Sequence, residues 1–239
     1  MGRTERRTER WTGRRERAVS GIDPDIESLC AGLGLATSAA QTRSLVQYLD
    51  LLLHWNATYN LTAVRDRPGM LTQHLADCLA VVRPVQQALP QLRASGRVVD
   101  VGSGGGLPGV VLAIMLPALD VTCVDTVGKK AAFIRQAAGA LGLRNLHAEH
   151  ARVEALADSP FDLIASRAFS SLADFTRLSR ALLAPGGVWM AMKGKRPDAE
   201  LAALPRDIEV FHVEQLTVPG LDAERCLVWM RPTDQSAPD

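Results

Sequence analysis

The run Val98-Val99-Asp100-Val101-Gly102-Ser103-Gly104-Gly105-Gly106-Leu107-Pro108-Gly109 constrains the fold more tightly than any other part of the chain. Its valine-rich start predicts a buried strand, the glycines predict a sharp turn, and the apolar residues from Gly109 to Leu116 predict a helix. Glycine serves such a turn in two ways. It enters backbone conformations closed to other residues, and it lets a ligand reach the main chain without meeting a Cβ. A strand, a glycine turn and a helix in that order form the entry to a βαβ unit, whose turn is where a nucleotide-like cofactor lies.

The chain after Gly96 repeats this alternation of short apolar runs and helical segments, which predicts a mainly parallel sheet in an α/β, Rossmann-like fold. Strands are expected at Arg97–Val101, Val121–Asp125, Leu146–Glu149, Phe161–Ser166, Gly187–Met192, Val210–Val218 and Cys226–Arg231, with helices at Gly109–Leu116, Lys129–Leu141, Leu172–Leu183 and Asp198–Leu204. The last two strands have no helix between them, so they are expected to pair antiparallel at one edge of the seven-stranded sheet. Before this domain, assigned to residues 96–231, residues 21–95 read as a small helical region. Leu45, Leu49, Leu52 and Leu53 fall on one face, and His74, Ala76, Leu79, Val82 and Val85 mark a second helix closed by Pro90. The polar connection from Asn60 to Gly69 separates them.

With 47% apolar residues in 239, the chain has ample material for a core. Residues 1–20 carry seven arginines against three glutamates, a net +4, and leave the rest of the chain at −3. Such an arm is expected to be disordered in isolation, either as a solvated tail or as a contact for nucleic acid. Residues 232–239 read as a polar tail. The four cysteines are widely spaced, without a C-x-x-C pair or matching histidines, which argues against a metal site and a disulfide framework. With no apolar run long enough to span a bilayer, a cytoplasmic, reduced protein is expected.

The glycine turn admits two cofactors. Read from Gly104, it gives Gly104-x-Gly106-x-x-Gly109 with Asp125 following 21 residues on, the fingerprint of a dinucleotide site in an NAD(P)-dependent oxidoreductase. Read from Asp100, it gives an acid and then Gly102-x-Gly104-x-Gly106, the form used for S-adenosylmethionine, where Asp125 would hold a ribose. Asp100 favours the second register, because an acid at the turn suits a cationic donor better than a pyrophosphate, which needs the helix N-terminus.

The segment from Asp100 to Gly109, with Asn60-Leu-Thr-Ala-Val-Arg65, His74-Leu-Ala-Asp77, Ser166-Arg-Ala-Phe169, Met192-Lys-Gly194 and Glu224-Arg-Cys-Leu-Val228, resembles the RsmG (GidB) family of bacterial small-subunit ribosomal RNA methyltransferases. The likeness runs in order from about Gly32 to Arg231. It implies methyl transfer from S-adenosylmethionine to N7 of a guanine in 16S ribosomal RNA. It also implies that Gly102, Leu107, Val153, Glu154 and Arg167 line the cofactor site, with Asp125 on the ribose. Cys78 departs from the pattern, where the family usually has serine.

Guanine N7 presents an unprotonated lone pair, so no catalytic acid or base is assigned and positioning is expected to dominate. Beyond Asp100, Gly104 and Gly106 at the turn, the candidates for RNA contact are Asn60, Arg65 and His74, each of which also has an ordinary structural reading, and, for phosphate, Lys193 and Arg225. His74 and Asp77 share a helical face and form either a pair at the domain junction or a substrate contact. Trp189 and Trp229 are expected in the core, and His147, His150 and His212 carry no site assignment. The RNA partner is expected within the small subunit, with no membrane and no obligate protein partner. A non-enzymatic alternative is a ribosome-binding assembly factor that keeps the fold without turnover.

Overall fold

The computed structural model describes residues 24–88, 95–156, 160–167 and 169–233. The basic arm, the helix-closing Pro90 and all but two residues of the polar tail lie outside the described residues. The helical region opens with α1 (Pro24–Gly32) and the long α2 (Ala39–Tyr59). Ser38 starts α2 with a capping box: its hydroxyl accepts the Gln41 N–H while the Gln41 side chain accepts the Ser38 N–H. The buried face of α2 is Leu45, Tyr48, Leu49, Leu52 and Asn56, at the expected helical spacing, with Leu53 only partly buried. Asn60 ends the helix in the left-handed conformation at φ 50°.

The second helix of the region is broken where one was expected. It runs as α3 (Arg67–Met70), a π-helical segment (Leu71–Ala76) and α4 (Asp77–Leu79), then turns at Ala80-Val81 before α5 (Val82–Ala88). Pro84 accounts for the break, since in a continuous helix its ring would collide with the carbonyl of Ala80, four residues back.

The seven strands are β1 (Arg97–Val101), β2 (Asp120–Asp125), β3 (Leu146–His150), β4 (Phe161–Arg167), β5 (Leu183–Lys193), β6 (Ile208–Leu216) and β7 (Arg225–Pro232). Their order in the sheet is β3-β2-β1-β4-β5-β7-β6. The pairings from β3 through β5 are parallel. β6 and β7 form the expected antiparallel pair at one edge, with β7 as the reversed strand, inserted between β5 and β6. Helices α6 (Gly109–Met115), α7 (Gly128–Leu141), α8 (Leu172–Ser179) and α9 (Asp198–Ala202) complete the layers.

Two boundaries move by four residues, while β6 starts and ends two residues early and α9 ends two residues early. The helix expected to reach Leu183 ends at Ser179, followed by a 3-10 turn, and β5 begins at Leu183 rather than Gly187. The early start of β5 carries an irregular register opposite Phe161, and Gly187 sits in it so tightly that a Cβ would lie 2.9 Å from the Ala184 carbonyl oxygen and 3.0 Å from that of Phe161.

Alternate residues of β1 feed two cores. Val98 joins a cluster with α6, α7 and the helical region, while Val99 and Val101 join Phe161, Ile164 and Trp189 on the opposite face. The helical region therefore shares one apolar core with the sheet. Trp189 is fully buried and donates to the Ser179 hydroxyl, and Trp229 is buried and donates to Glu214. No helix among the described residues is long and apolar enough to cross a membrane.

Candidate cofactor cleft

The turn after β1 is held by its own backbone and by two carboxylates. Gly102, Gly104 and Gly106 all have positive φ, at 72°, 59° and 86°. Gly102 and Ser103 N–H donate to the Val124 carbonyl, which keeps the turn over the end of β2, and the Ser103 hydroxyl donates to the Asp100 carbonyl at 2.7 Å. Asp125, ending β2, accepts the Gly104 N–H through Oδ2 and the Val127 N–H through Oδ1, and lies 3.6 Å from the Lys130 ammonium. The turn is thus tied to the acid 21 residues further on that both readings of the motif require.

Asp100 lies beneath the turn, fully buried. Its Oδ2 accepts the Gly109 N–H at 2.9 Å, and Oδ1 is the one buried side-chain polar atom without a partner among the described residues. Burial pushes its carboxyl up to about 7, against the opposing pull of the Gly109 N–H and the Arg167 charge. The first N–H of α6 is therefore already satisfied by a carboxylate, the group that a pyrophosphate would have to displace. This favours a cationic ligand over a dinucleotide.

The cleft above the turn measures about 170 Å³ and is lined by Gly102 to Gly105, Leu107, Leu52 and Leu61, with Thr62 and Arg167 at its polar side. A Cβ built on Gly102 or Gly104 would meet nothing within 4 Å, so both glycines leave their main chain open to a ligand. At Gly106 the opposite holds, because a Cβ would run into Val110. The helical region forms one wall, fastened by the Tyr48 hydroxyl, which donates to the Gly105 carbonyl at 2.6 Å.

The rim of the cleft is built from side chains. Arg167, at the end of β4, directs Nη1 to the Gln73 carbonyl, His74 Nδ1 and Asp77 Oδ2, each at 3.4 Å. Asp77 Oδ1 accepts from Arg225 Nε of β7 at 2.9 Å. His74 Nε2 lies 2.6 Å from the Thr62 hydroxyl, and burial together with the Arg167 charge lowers its pKa, so the ring is neutral near pH 7.

The candidates named from the sequence thus divide. Gly102, Gly104, Leu107 and Arg167 meet in one cleft, with Gly106 and Asp100 supporting it and Asp125 joined to it through Gly104. Val153 and Glu154 lie on a 3-10 turn after β3, outside the cleft lining, with Val153 buried and Glu154 exposed. Asn60 and Arg65 are bonded to each other at 3.0 Å on the exposed connection. Lys193 is held by both oxygens of Glu200, at 2.8 and 2.9 Å. Tyr48, Leu52, Leu61 and Thr62 were not among those candidates. Tyr48 and Leu52 carry only the signature of a buried helical face, which looks the same whether it meets a core or a cleft.

The family model described as rRNA small subunit methyltransferase G (GidB) matches residues 41–228, from the start of α2 into β7. The chain belongs to this family. A ribosomal RNA small subunit methyltransferase G from Acidovorax sp. (strain JS42) is 62% identical over 206 residues, covering 84% of this chain and 91% of that protein. The methyltransferase G of Leptothrix cholodnii is 58% identical over 214 residues, covering 88% and 97%. Among solved structures, TrmN from Thermus thermophilus is similar with a TM-score of 0.52 at 24% identity, over 68% of this chain and 53% of that one. A SAM-dependent methyltransferase from Geobacter sulfurreducens, in complex with S-adenosyl-L-homocysteine, has a TM-score of 0.50 at 15% identity, over 64% and 90%. These two likenesses are of fold. In this member of the methyltransferase G family the matched span includes every cleft-lining residue and the whole Arg167–Asp77–Arg225 rim.

Proposed function

We propose that this protein is an S-adenosylmethionine-dependent methyltransferase that modifies N7 of a guanine in 16S ribosomal RNA, presented within the small ribosomal subunit. The observation that carries this reading is the match to the methyltransferase G family across the whole of the cleft. The cleft supports the choice of cofactor: its glycines leave main chain exposed, and the buried carboxyl of Asp100 stands beneath the turn.

Bound S-adenosylmethionine supplies an electrophilic methyl group on a positively charged sulfur. Gly102 and Gly104 give it a floor, Leu107 an apolar contact and Asp125 a carboxylate for the ribose hydroxyls. The family resemblance adds Val153 and Glu154, on the turn after β3 and beyond the cleft lining, as further residues that would hold the cofactor. A carboxylate has about four acceptor positions, so the two amides already on Asp125 leave room for a hydroxyl.

Because the guanine lone pair is already free, the protein has no proton to remove. Its work is to align the base with the donor and to exclude water from the cleft. Arg167 presents Nε and Nη2, which no acceptor among the described residues engages, to whatever enters. A hydrogen bond from this guanidinium to guanine O6 that strengthens as the purine gains charge would speed the transfer. His74 and Arg225 belong to the rim around Arg167, and Asn60 and Arg65 lie on the connection that carries the cleft-lining Leu61 and Thr62; these four are among the residues assigned to RNA contact. Lys193 is the weakest member of that set, because Glu200 already neutralises it.

The test is to incubate the protein with small subunits that lack the modification and to map the methylated nucleotide. A single N7-methylguanine in the 16S RNA is the expected product. Methyl incorporation at an exocyclic amine or a ribose would overturn the positioning mechanism, and tight NAD binding without binding of S-adenosylmethionine would overturn the choice of cofactor.

A further inference from the structure

We infer that Asp77 is a positioning residue: it fixes the guanidinium of Arg167 at the cleft and ties it to Arg225, so that the helical region sets the geometry of the rim. The inference rests on the methyltransferase reading of the cleft. Asp77 is 3% exposed, yet both of its oxygens serve arginines from other elements, Oδ2 receiving Arg167 Nη1 and Oδ1 receiving Arg225 Nε. The partners are 90 and 148 residues away in sequence and come from the ends of β4 and β7. A carboxylate taken so far out of water is tolerated only where charges and donors compensate it. Two arginines on one acid over-compensate, leaving a net positive charge at the rim.

The local backbone supports a positioning role. The segment directly before Asp77 is π-helical, a geometry found mostly as short insertions at functional sites. In this widened turn the Gln73 carbonyl and the His74 ring both meet Nη1 of Arg167. Two acceptors from one five-residue stretch, the Gln73 carbonyl and Asp77 Oδ2, therefore take the two hydrogens of a single nitrogen, which fixes the plane of the guanidinium and leaves Nε and Nη2 for the ligand. Arginine suits this task because its donors form a rigid fork, so anchoring one corner aims the others. Arg225 is anchored in the same manner, through Nε to Asp77 and Nη1 to the Glu224 carbonyl.

The experiment compares Asp77→Asn with wild type in methylation of unmodified small subunits, with calorimetric binding of S-adenosylhomocysteine and thermal melts run in parallel. Active wild-type protein establishes the methyltransferase reading, and inactive wild type defeats that reading, whatever the variant does. With active wild type, Asp77→Asn is expected to stay folded and to lose on the order of tenfold to a hundredfold in kcat/KM, the scale of a misplaced binding group. Arg167→Lys added to Asp77→Asn should lower kcat/KM by less than about twofold more, because Asp77 acts through Arg167. A folded Asp77→Asn with wild-type kcat/KM overturns the inference, as does full multiplication of the two single effects. If Asp77→Asn does not fold, Arg167→Lys alone decides. A loss of at least about tenfold supports the inference, since lysine keeps the charge without the fork. A smaller loss overturns it, because a point charge needs no aiming.

Discussion

The floor of the cleft and its rim are built in different ways. The floor is main chain: three left-handed glycines within five residues, closed by carboxylates at the ends of two neighbouring strands. The rim is side chain: an arginine, an aspartate, a histidine and a second arginine drawn from the helical region, β4 and β7. A main-chain site is specified by local conformation and fails when a Cβ is added. A side-chain site is specified by long-range packing and fails when one partner loses its charge or reach.

Gly106→Ala should break the floor most severely. Its φ of 86° strains any side chain, and the new Cβ would collide with Val110. About 2–5 kcal/mol of stability should be lost in urea denaturation, the sum of left-handed strain and overpacking.

Asp100→Asn separates charge from shape in the same floor. A carboxyl raised to about 7 binds its proton more readily in the folded state than in the unfolded chain, where the value is about 3.9. Its contribution to stability is therefore complete below about pH 4 and is lost as the pH rises to about 7. Relative to wild type, Asp100→Asn should gain stability across that window, up to a few kcal/mol, since each tenfold difference in proton affinity between the two states is worth about 1.4 kcal/mol. Paired melts from pH 4 to pH 8 would show this, and parallel curves would refute it.

Gly102→Ala is the milder companion to Gly106→Ala, because open space surrounds its Cβ. Only about 1–2 kcal/mol of backbone strain is expected, while the methyl group projects into the ligand's space. Affinity for S-adenosylhomocysteine should fall by about tenfold or more, equivalent to at least about 1.4 kcal/mol. Arg65→Ala, on the exposed connection, should change stability by less than about 0.5 kcal/mol, since its bond to Asn60 is a solvent-exposed one. Its effect should instead appear as a raised KM for the subunit, with kcat unchanged.

The same division explains what could be read from the chain alone. The turn, the order of strands and helices, and the antiparallel pair at the end were legible because glycine spacing and apolar periodicity are local signals. The break at Ala80 was legible in principle, since Pro84 forbids a continuous helix there, but the apolar stripe from His74 to Val85 masked it. The role of Asp77 was not legible. A His-x-x-Asp pair on a helix has the same appearance whether it faces water, a core or two arginines brought in by strands far along the chain. Lys193 shows the converse: a lysine at a strand end looks available for phosphate until Glu200 of α9 is seen to hold it.

The placement of β7 between β5 and β6 bears on how the molecule is assembled as it is made. β5 and β6 both leave the ribosome before the strand that joins them, so until residues 225–232 emerge, β5 presents an open edge and the sheet is incomplete. Arg225 is the first residue of that late strand, and its bond to Asp77 reaches back to one of the earliest helices. The contact that completes the rim therefore forms only after β1 to β6 have been made. A nascent protein cannot present the finished opening to a ribosomal substrate before residues 225–232 have been synthesised.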